Sequence, residues 1–277
     1  MTRIVQISDT HFGTEVPDVV EALLALTRAH SPDLLVLSGD ITQRARPREF
    51  AAARAFVQRI APPNVLVLPG NHDIPLFNLV LRVFAPYANY AACFGEDLEP
   101  SFESDDLMVL GVNTTRAWQH IDGYVSAEQV ERVCARLGRA RPEQLRVVVT
   151  HQPLHVSRPQ DRKDILRGHA RALPAWSAAG ADVVLGGHIH LPQVHAMRAL
   201  RPDLPRAMWC VQAGTATSSR VRWEAPNSVN LLLYERPVGP AAALRCTVER
   251  WDYDVGARRF VPVESHDLPL DRTAPTR

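Results

Sequence analysis

Eight side chains able to bind a metal cation stand directly after short apolar runs. Asp9 and His11 follow residues 4–7, Asp40 follows 34–37, and Asn71 and His72 follow 65–68. His151 follows 147–149, and His188 and His190 follow 183–185. Each has an ordinary reading when taken alone. An Asp after a strand is commonly a helix cap or turn residue, Gly70-Asn71 can be a turn, and His151 can be a hydrogen-bonded core histidine. His-x-His is also a weaker sign of a metal than a Cys-x-x-Cys pair. Together, five of the 11 histidines, two aspartates and one asparagine share the same kind of position, which chance does not explain. Imidazole nitrogens beside carboxylate and amide oxygens form a donor set for a divalent cation.

The elements that must hold these groups follow from the same runs. They are short and rich in Val, Ile and Leu, as buried strands are. Between them lie helical patterns over residues 19–27, 50–60 and 171–179, and over Ala127–Leu137, where Ser126 and Gln129 make a capping box. Strand, loop and helix in alternation imply an α/β layered domain. The ligands would then meet at the strand ends, where such sheets form their binding crevice. From about residue 205 helical patterns stop, and 207–212, 229–234, 244–253 and 259–263 read as strands. This β-rich portion is expected to finish a second sheet within one domain spanning 1–265, followed by a polar tail over 266–277. Segments 87–104 and 153–168 show no pattern that places them.

Composition narrows the function classes. Hydrophobic residues make up 46% of the 277 and charged residues 22%, as in ordinary globular proteins. The net charge of +1 provides no basic stripe of the kind that tracks long nucleic acid. Lys163 is the single lysine among 31 basic residues, a bias expected of GC-rich coding rather than of function. The four cysteines form no Cys-x-x-Cys pair and fit a reducing compartment. No stretch approaches the ~20 apolar residues of a membrane span, and no signal peptide is evident. The expected location is cytoplasmic.

In order and in full, Asp9-Thr10-His11, Gly39-Asp40, Gly70-Asn71-His72-Asp73, His151 and Gly187-His188-Ile189-His190 resemble the motifs of the calcineurin-like metallophosphoesterase superfamily. Ile7-Ser8-Asp9-Thr10-His11-Phe12, Leu37-Ser38-Gly39-Asp40-Ile41, Leu166-Arg167-Gly168 and Ala213-Gly214-Thr215-Ala216 look like its branch of class III cyclic nucleotide phosphodiesterases and glycerophosphodiesterases. One departure is Gln152, where many relatives carry a second histidine. It bears on substrate preference rather than on metal chemistry.

The resemblance implies an α/β fold, a four-layer α-β-β-α sandwich of two mixed sheets with helices outside. It implies one metal held by Asp9, His11, Asp40 and His190, and a second held by Asp40, Asn71, His151 and His188, with Asp40 bridging. Such mixed ligands suit manganese, iron or zinc better than magnesium or calcium. Two dications against the two aspartates leave positive charge for an anionic phosphate ester, and ions about 3.5–4 Å apart can hold a bridging hydroxide as nucleophile. His72 is expected to be the catalytic residue, as leaving-group acid or transition-state stabiliser, with Asp73 orienting its neighbours.

The expected reaction is hydrolysis of a phosphodiester, such as a cyclic nucleotide or a glycerophosphodiester. The alternatives are a nuclease, a protein or phosphomonoester phosphatase, and a non-catalytic metal-binding scaffold. The charge weighs against the nuclease, and His72 beside a full ligand set weighs against the scaffold. His155, Asn113, Arg116, Arg220 and Arg222 are weaker site candidates. The β-rich C-terminal portion could pair across a homodimer.

Overall fold

Successive side chains of a strand point to opposite faces, and in β1 (Thr2–Ile7) both faces are apolar. Val5 and Ile7 pack outward against helices, while Ile4 packs inward against another sheet. The same division recurs in β2 (Leu34–Ser38), where Leu35 and Leu37 face one way and Leu34 and Val36 the other. A strand buried on both faces requires layers on both sides. The computed structural model, which describes residues 1–222, 225–236 and 244–272, supplies them.

The elements in chain order are β1, α1 (Pro17–His30), β2, α2 (Pro47–Ile60), β3 (Val65–Leu68), α3 (Leu79–Phe84), α4 (Ala88–Phe94), β4 (Ser101–Glu103) and β5 (Leu107–Gly111). There follow α5 (Ala127–Leu137), β6 (Leu145–Val149), α6 (His169–Ala179), β7 (Val183–Gly186), β8 (Gln193–Ala196) and α7 (Met197–Leu200). The chain then runs through β9 (Trp209–Gln212), β10 (Ser228–Glu235), β11 (Arg245–Asp254) and β12 (Arg259–Pro269). One sheet has the order β12-β11-β10-β1-β2-β3 and the other β4-β5-β6-β7-β9-β8. Both are mixed: β1, β2 and β3 are parallel and β10–β12 antiparallel, while β5, β6, β7 and β9 are parallel, with β4 and β8 antiparallel at the edges.

Three apolar clusters fill the three spaces between four layers. One lies between the first sheet and α1 and α2, one between the second sheet and α5 and α6, and one between the sheets. The fold is thus a four-layer α-β-β-α sandwich. Each fully buried Val, Leu or Ile contributes roughly 1.5–3 kcal/mol, so the middle layer holds the two sheets in fixed relation. Near their C-terminal ends that contact becomes polar. Gln6 Nε2 donates to Gly186 O of the facing sheet at 2.9 Å and to Ser38 Oγ at 3.1 Å, and Asn230 Nδ2 donates to Gln6 Oε1 at 2.9 Å.

The capping box on α5 forms as expected: Ser126 Oγ accepts from Gln129 N at 3.2 Å and Gln129 Oε1 accepts from Ser126 N at 3.0 Å. Other expectations need correction. The C-terminal strands do not together finish a second sheet. β9 joins the second sheet, whereas β10 pairs with β1 and brings β11 and β12 into the first. The final strand does not stop at 263, nor does a loose polar tail start at 266. β12 runs to Pro269, with Leu268 buried opposite Cys246. Its polar run Glu264–Asp267 hid the strand because β12 is an edge strand, three of whose four residues there are exposed. Residues 273–277 of that expected tail lie outside the described residues. Segment 87–104 holds α4 and β4, and segment 153–168 holds a 3-10 turn over Pro159–Asp164.

Candidate metal centre and active site

The strand exits turn sharply, and the turns place the candidate ligands. Asp9, His11, Asp40, His188 and His190 all have positive φ, from 43° to 74°. Non-glycine residues in this region cost of order 1–3 kcal/mol each and persist only where surrounding contacts impose them. Here backbone bonds between neighbouring exits do so: Asp9 N donates to Gly39 O, His11 N to Asp40 O, and Gly187 N to His151 O, at 2.8–3.0 Å. Two glycines permit the approach. Gly39 has φ of +97°, and a Cβ there would lie 2.4 Å from His151 Nδ1. A Cβ on Gly187 would lie 1.9 Å from Ser8 Oγ and 2.5 Å from Asp9 Oδ2.

All seven expected ligands come together in two groups that share Asp40. In the first, His190 Nε2 lies 3.3 Å from Asp9 Oδ1 and 3.0 Å from His11 Nε2, which is 3.7 Å from Asp40 Oδ2. In the second, His151 Nε2 lies 3.2 Å from both Asp40 Oδ1 and Asn71 Oδ1, with His188 alongside. The far ring nitrogens are oriented by carbonyls: His151 Nδ1 donates to Ser38 O at 2.9 Å and His190 Nδ1 to Arg220 O at 2.7 Å. Such partners fix the tautomer and aim the other nitrogen at a metal. Among the described residues His188 Nδ1 is buried without a hydrogen-bond partner, as a nitrogen awaiting a cation would be. Its Nε2 faces Asp164 Oδ1 at 3.9 Å. These clusters suit divalent metal ions.

Electrostatics point the same way. Burial alone would raise the Asp9 pKa, but the charges of His190 and His151 overcome it and hold it at about 2. Burial also opposes ionisation of Asp40, and His151, His72 and His11 overcome that to keep its pKa well below the usual carboxylate range. Burial pushes His11 and His188 down to about 3, so both imidazoles are neutral and carry free lone pairs. For His151 burial is outweighed by Asp40, which raises its pKa to about 9. A metal cation would take the place of that proton.

Asp73 ties the second and third exits together. Its Oδ2 accepts from Gly70 N at 2.8 Å and Ile41 N at 3.0 Å, and its Oδ1 from Thr42 N and Oγ1, both at 2.8 Å. Burial and the charge of Asp40 push its pKa up to about 7 against these donors. His72 stands at the rim, 16% exposed, with Nδ1 3.0 Å from Gln43 O and Nε2 4.0 Å from Asp40 Oδ2. A cleft of about 260 Å³ opens there, lined by Asn71, His72, His188 and His190 together with Ile121, Asp164, Arg220 and Arg222. Larger hollows beside α5 and along β11 and β12 hold none of these groups.

Among the weaker candidates, only Arg220 and Arg222 reach the cleft. His155 packs against the His195 ring at 4.9 Å instead. Asn113 Oδ1 accepts from Thr115 N and Oγ1, and Arg116 donates to backbone carbonyls and to Gln129, so both brace a loop. Gln152 bonds Thr114 and Ile121 O, away from the ligands. Asp164, Ile121 and Gln43 escaped the sequence reading. Asp164 lies in the segment 153–168 that no pattern placed, and no local pattern marks the others.

The family pattern of the calcineurin-like phosphoesterases matches residues 2–192, more than half of the chain and every ligand motif. The chain belongs to that family. Among curated relatives, this chain is 24% identical over 206 residues to a probable cyclic nucleotide phosphodiesterase of Rhodococcus erythropolis, covering 68% of this chain and 64% of the relative. It is 26% identical over 170 residues to a glycerophosphodiester phosphodiesterase of Enterobacter lignolyticus, covering 57% of this chain and 59% of the relative. The chain thus spans less than two thirds of the length of these relatives. A dimetal phosphatase of Danio rerio shares the phosphoesterase fold, with a TM-score of 0.67 at 12% identity over 98% of this chain and 99% of that one. Among the described residues no helix is long and apolar enough to cross a membrane.

Proposed function

We propose that this calcineurin-like phosphoesterase hydrolyses a phosphodiester at a dinuclear metal centre. One observation carries the reading: the two carboxylate oxygens of Asp40 face different sets of donors, Oδ2 toward His11 and Oδ1 toward His151. A carboxylate so placed is fitted to bridge two cations. Asp9, His11 and His190 complete one set, and Asn71, His151 and His188 the other. Manganese, iron and zinc all suit these ligands.

When bound, the cations would lower the pKa of a water to supply the nucleophile and offset the charge of the phosphate. The chain's own residues do the rest. Ser38 O and Arg220 O keep His151 and His190 aimed inward. Ser8 Oγ donates to Asp9 Oδ2 at 2.6 Å, and His188 N donates to the same oxygen at 3.0 Å, so the carboxylate cannot turn. Gln43 O accepts from His72 Nδ1, which leaves Nε2 toward the cleft, where the ring, when protonated on both nitrogens, can pass a proton to the leaving oxygen. Ile121 and Ile189 are the apolar residues that line the cleft.

The relatives' activities make cyclic nucleotides and glycerophosphodiesters the first substrates to try. Among the described residues Cys93, Cys134, Cys210 and Cys246 are free thiols, which suits a reducing compartment such as the cytoplasm. The test is hydrolysis by metal-depleted protein reloaded with manganese, comparing bis(p-nitrophenyl) phosphate, p-nitrophenyl phosphate, cyclic AMP and glycerophosphodiesters. Faster turnover of diesters is expected. A preference for the monoester would move the protein to the phosphatases, and no turnover with two metals bound would favour a scaffold.

A further inference from the structure

The loop between β9 and β10 brings two arginines into the cleft and surrounds them differently. Arg222 is neutralised: its Nη1 donates to both oxygens of Asp161 at 3.1 Å and to Ile189 O at 3.2 Å. The Arg220 guanidinium has no carboxylate partner among the described residues. Its Nη1 lies 3.0 Å from His72 Nε2, 3.4 Å from His11 Nδ1 and 3.2 Å from Gln43 Oε1. An uncompensated guanidinium thus stands among imidazoles, two of them assigned to the reaction and to the metal.

Arg220 is exposed, but the loop that carries it is firmly anchored. Thr215 Oγ1 donates to Asp9 O at 2.6 Å and Thr217 Oγ1 to Thr10 O at 3.0 Å, which ties the loop to the first ligand turn. Arg220 N donates to Ser218 Oγ at 3.2 Å, and Arg220 O accepts from His190. Gln43 serves twice: its backbone carbonyl holds His72 and its side-chain oxygen holds Arg220. The imidazole and the guanidinium are therefore aimed at one point on the rim of the metal clusters.

A guanidinium beside groups that would hold dications is repelled unless an anion lies between them. The anion that enters this cleft under the reading above is the substrate phosphate. Resting on that reading, we propose that Arg220 is a further catalytic residue, whose guanidinium binds a non-bridging phosphoryl oxygen next to His72. There it would steady the charge that shifts onto the phosphoryl oxygens during hydrolysis. Guanidinium suits the task because its N–H fork matches the spacing of phosphate oxygens, which an ammonium does not.

The experiment compares manganese-loaded wild type, Arg220→Ala and Arg220→Lys. It reads metal content, inorganic phosphate binding by calorimetry, and kinetics on bis(p-nitrophenyl) phosphate. Arg220→Ala is expected to keep its metals, to bind phosphate about 10- to 100-fold more weakly, and to lose kcat/KM by a similar factor. Arg220→Lys should recover part of both. Guanidinium ion added at a non-denaturing concentration should restore activity to Arg220→Ala and leave the wild type unchanged. Phosphate affinity and kcat/KM within about twofold of wild type would overturn the proposal. So would loss of metal in step with activity and no guanidinium rescue, since Arg220 would then merely support His190. If the wild type binds two metals yet hydrolyses no ester, the phosphodiesterase reading fails. Phosphate affinity in wild type against Arg220→Ala then still decides the role of Arg220.

Discussion

Replacing Asp73 by Asn tests whether a buried carboxylate that touches no metal sets the metal affinity. Asn has nearly the same volume, so the change opens no cavity. Its amide oxygen can keep the bonds from Gly70 N and Ile41 N, which puts the NH2 group against Thr42. The Thr42 hydroxyl can turn toward His72 O, 3.5 Å away, but Thr42 N loses its acceptor. A buried donor left unpaired costs about 1–3 kcal/mol.

In metal-free protein an opposite effect competes. Burial and Asp40 raise the Asp73 pKa to about 7. A carboxyl whose folded pKa exceeds its unfolded value of 3.8 destabilises the fold increasingly as pH rises from that value, until the effect levels off above about 7. Asn removes this repulsion, so at pH 8 the metal-free variant should melt close to wild type. Cations beside Asp40 would offset its repulsion though not the cost of burial, so in loaded protein the change relieves less and the lost hydrogen bond weighs more. By linkage, metal affinity should fall about 5- to 150-fold, the equivalent of 1–3 kcal/mol. The melting temperature of the loaded variant should drop by about 2–4 °C per kcal/mol. Calorimetric metal titration and thermal melts with and without metal check both halves. An unchanged metal affinity, or equal destabilisation in both forms, would refute the reasoning.

Three further outcomes are expected. His72→Ala should keep both metals and lower kcat, more for alkyl than for nitrophenyl leaving groups; equal loss on both would argue against proton donation. Metal binding near pH 7 should release at least one proton, because the pKa of about 9 keeps His151 protonated in metal-free protein until pH rises through that value. Titration calorimetry in buffers of different ionisation enthalpy counts that proton, and none released would mean His151 binds no metal. Gly187→Ala should cost more metal affinity than Asp73→Asn, since its Cβ would lie within 2.5 Å of both Ser8 and Asp9 side-chain oxygens; metal content after dialysis would decide it.

The sequence by itself picked out the seven candidate ligands and the layers that bring them together. Short Val- and Leu-rich runs read as buried strands, and a polar residue directly after such a run then falls at the sheet edge. Capping of α5 was equally legible, because Ser126 and Gln129 are only three residues apart. Tertiary structure alone decided the rest. Polar residues conceal the last part of β12, which belongs to the sheet because β11 lies beside it. Asn113, Arg116 and His155 are the right types at plausible places, yet local partners hold them elsewhere. Arg220 meets His72 across 148 positions of chain, and Asp164 faces His188 from a segment that no sequence pattern placed. The left-handed backbone at five candidate ligands is likewise imposed from outside, by bonds between neighbouring strand exits. Periodicity and capping depend on residues a few positions apart and can be read along the chain. Where a long side chain on a loop comes to rest depends on packing between distant segments, which no local pattern records.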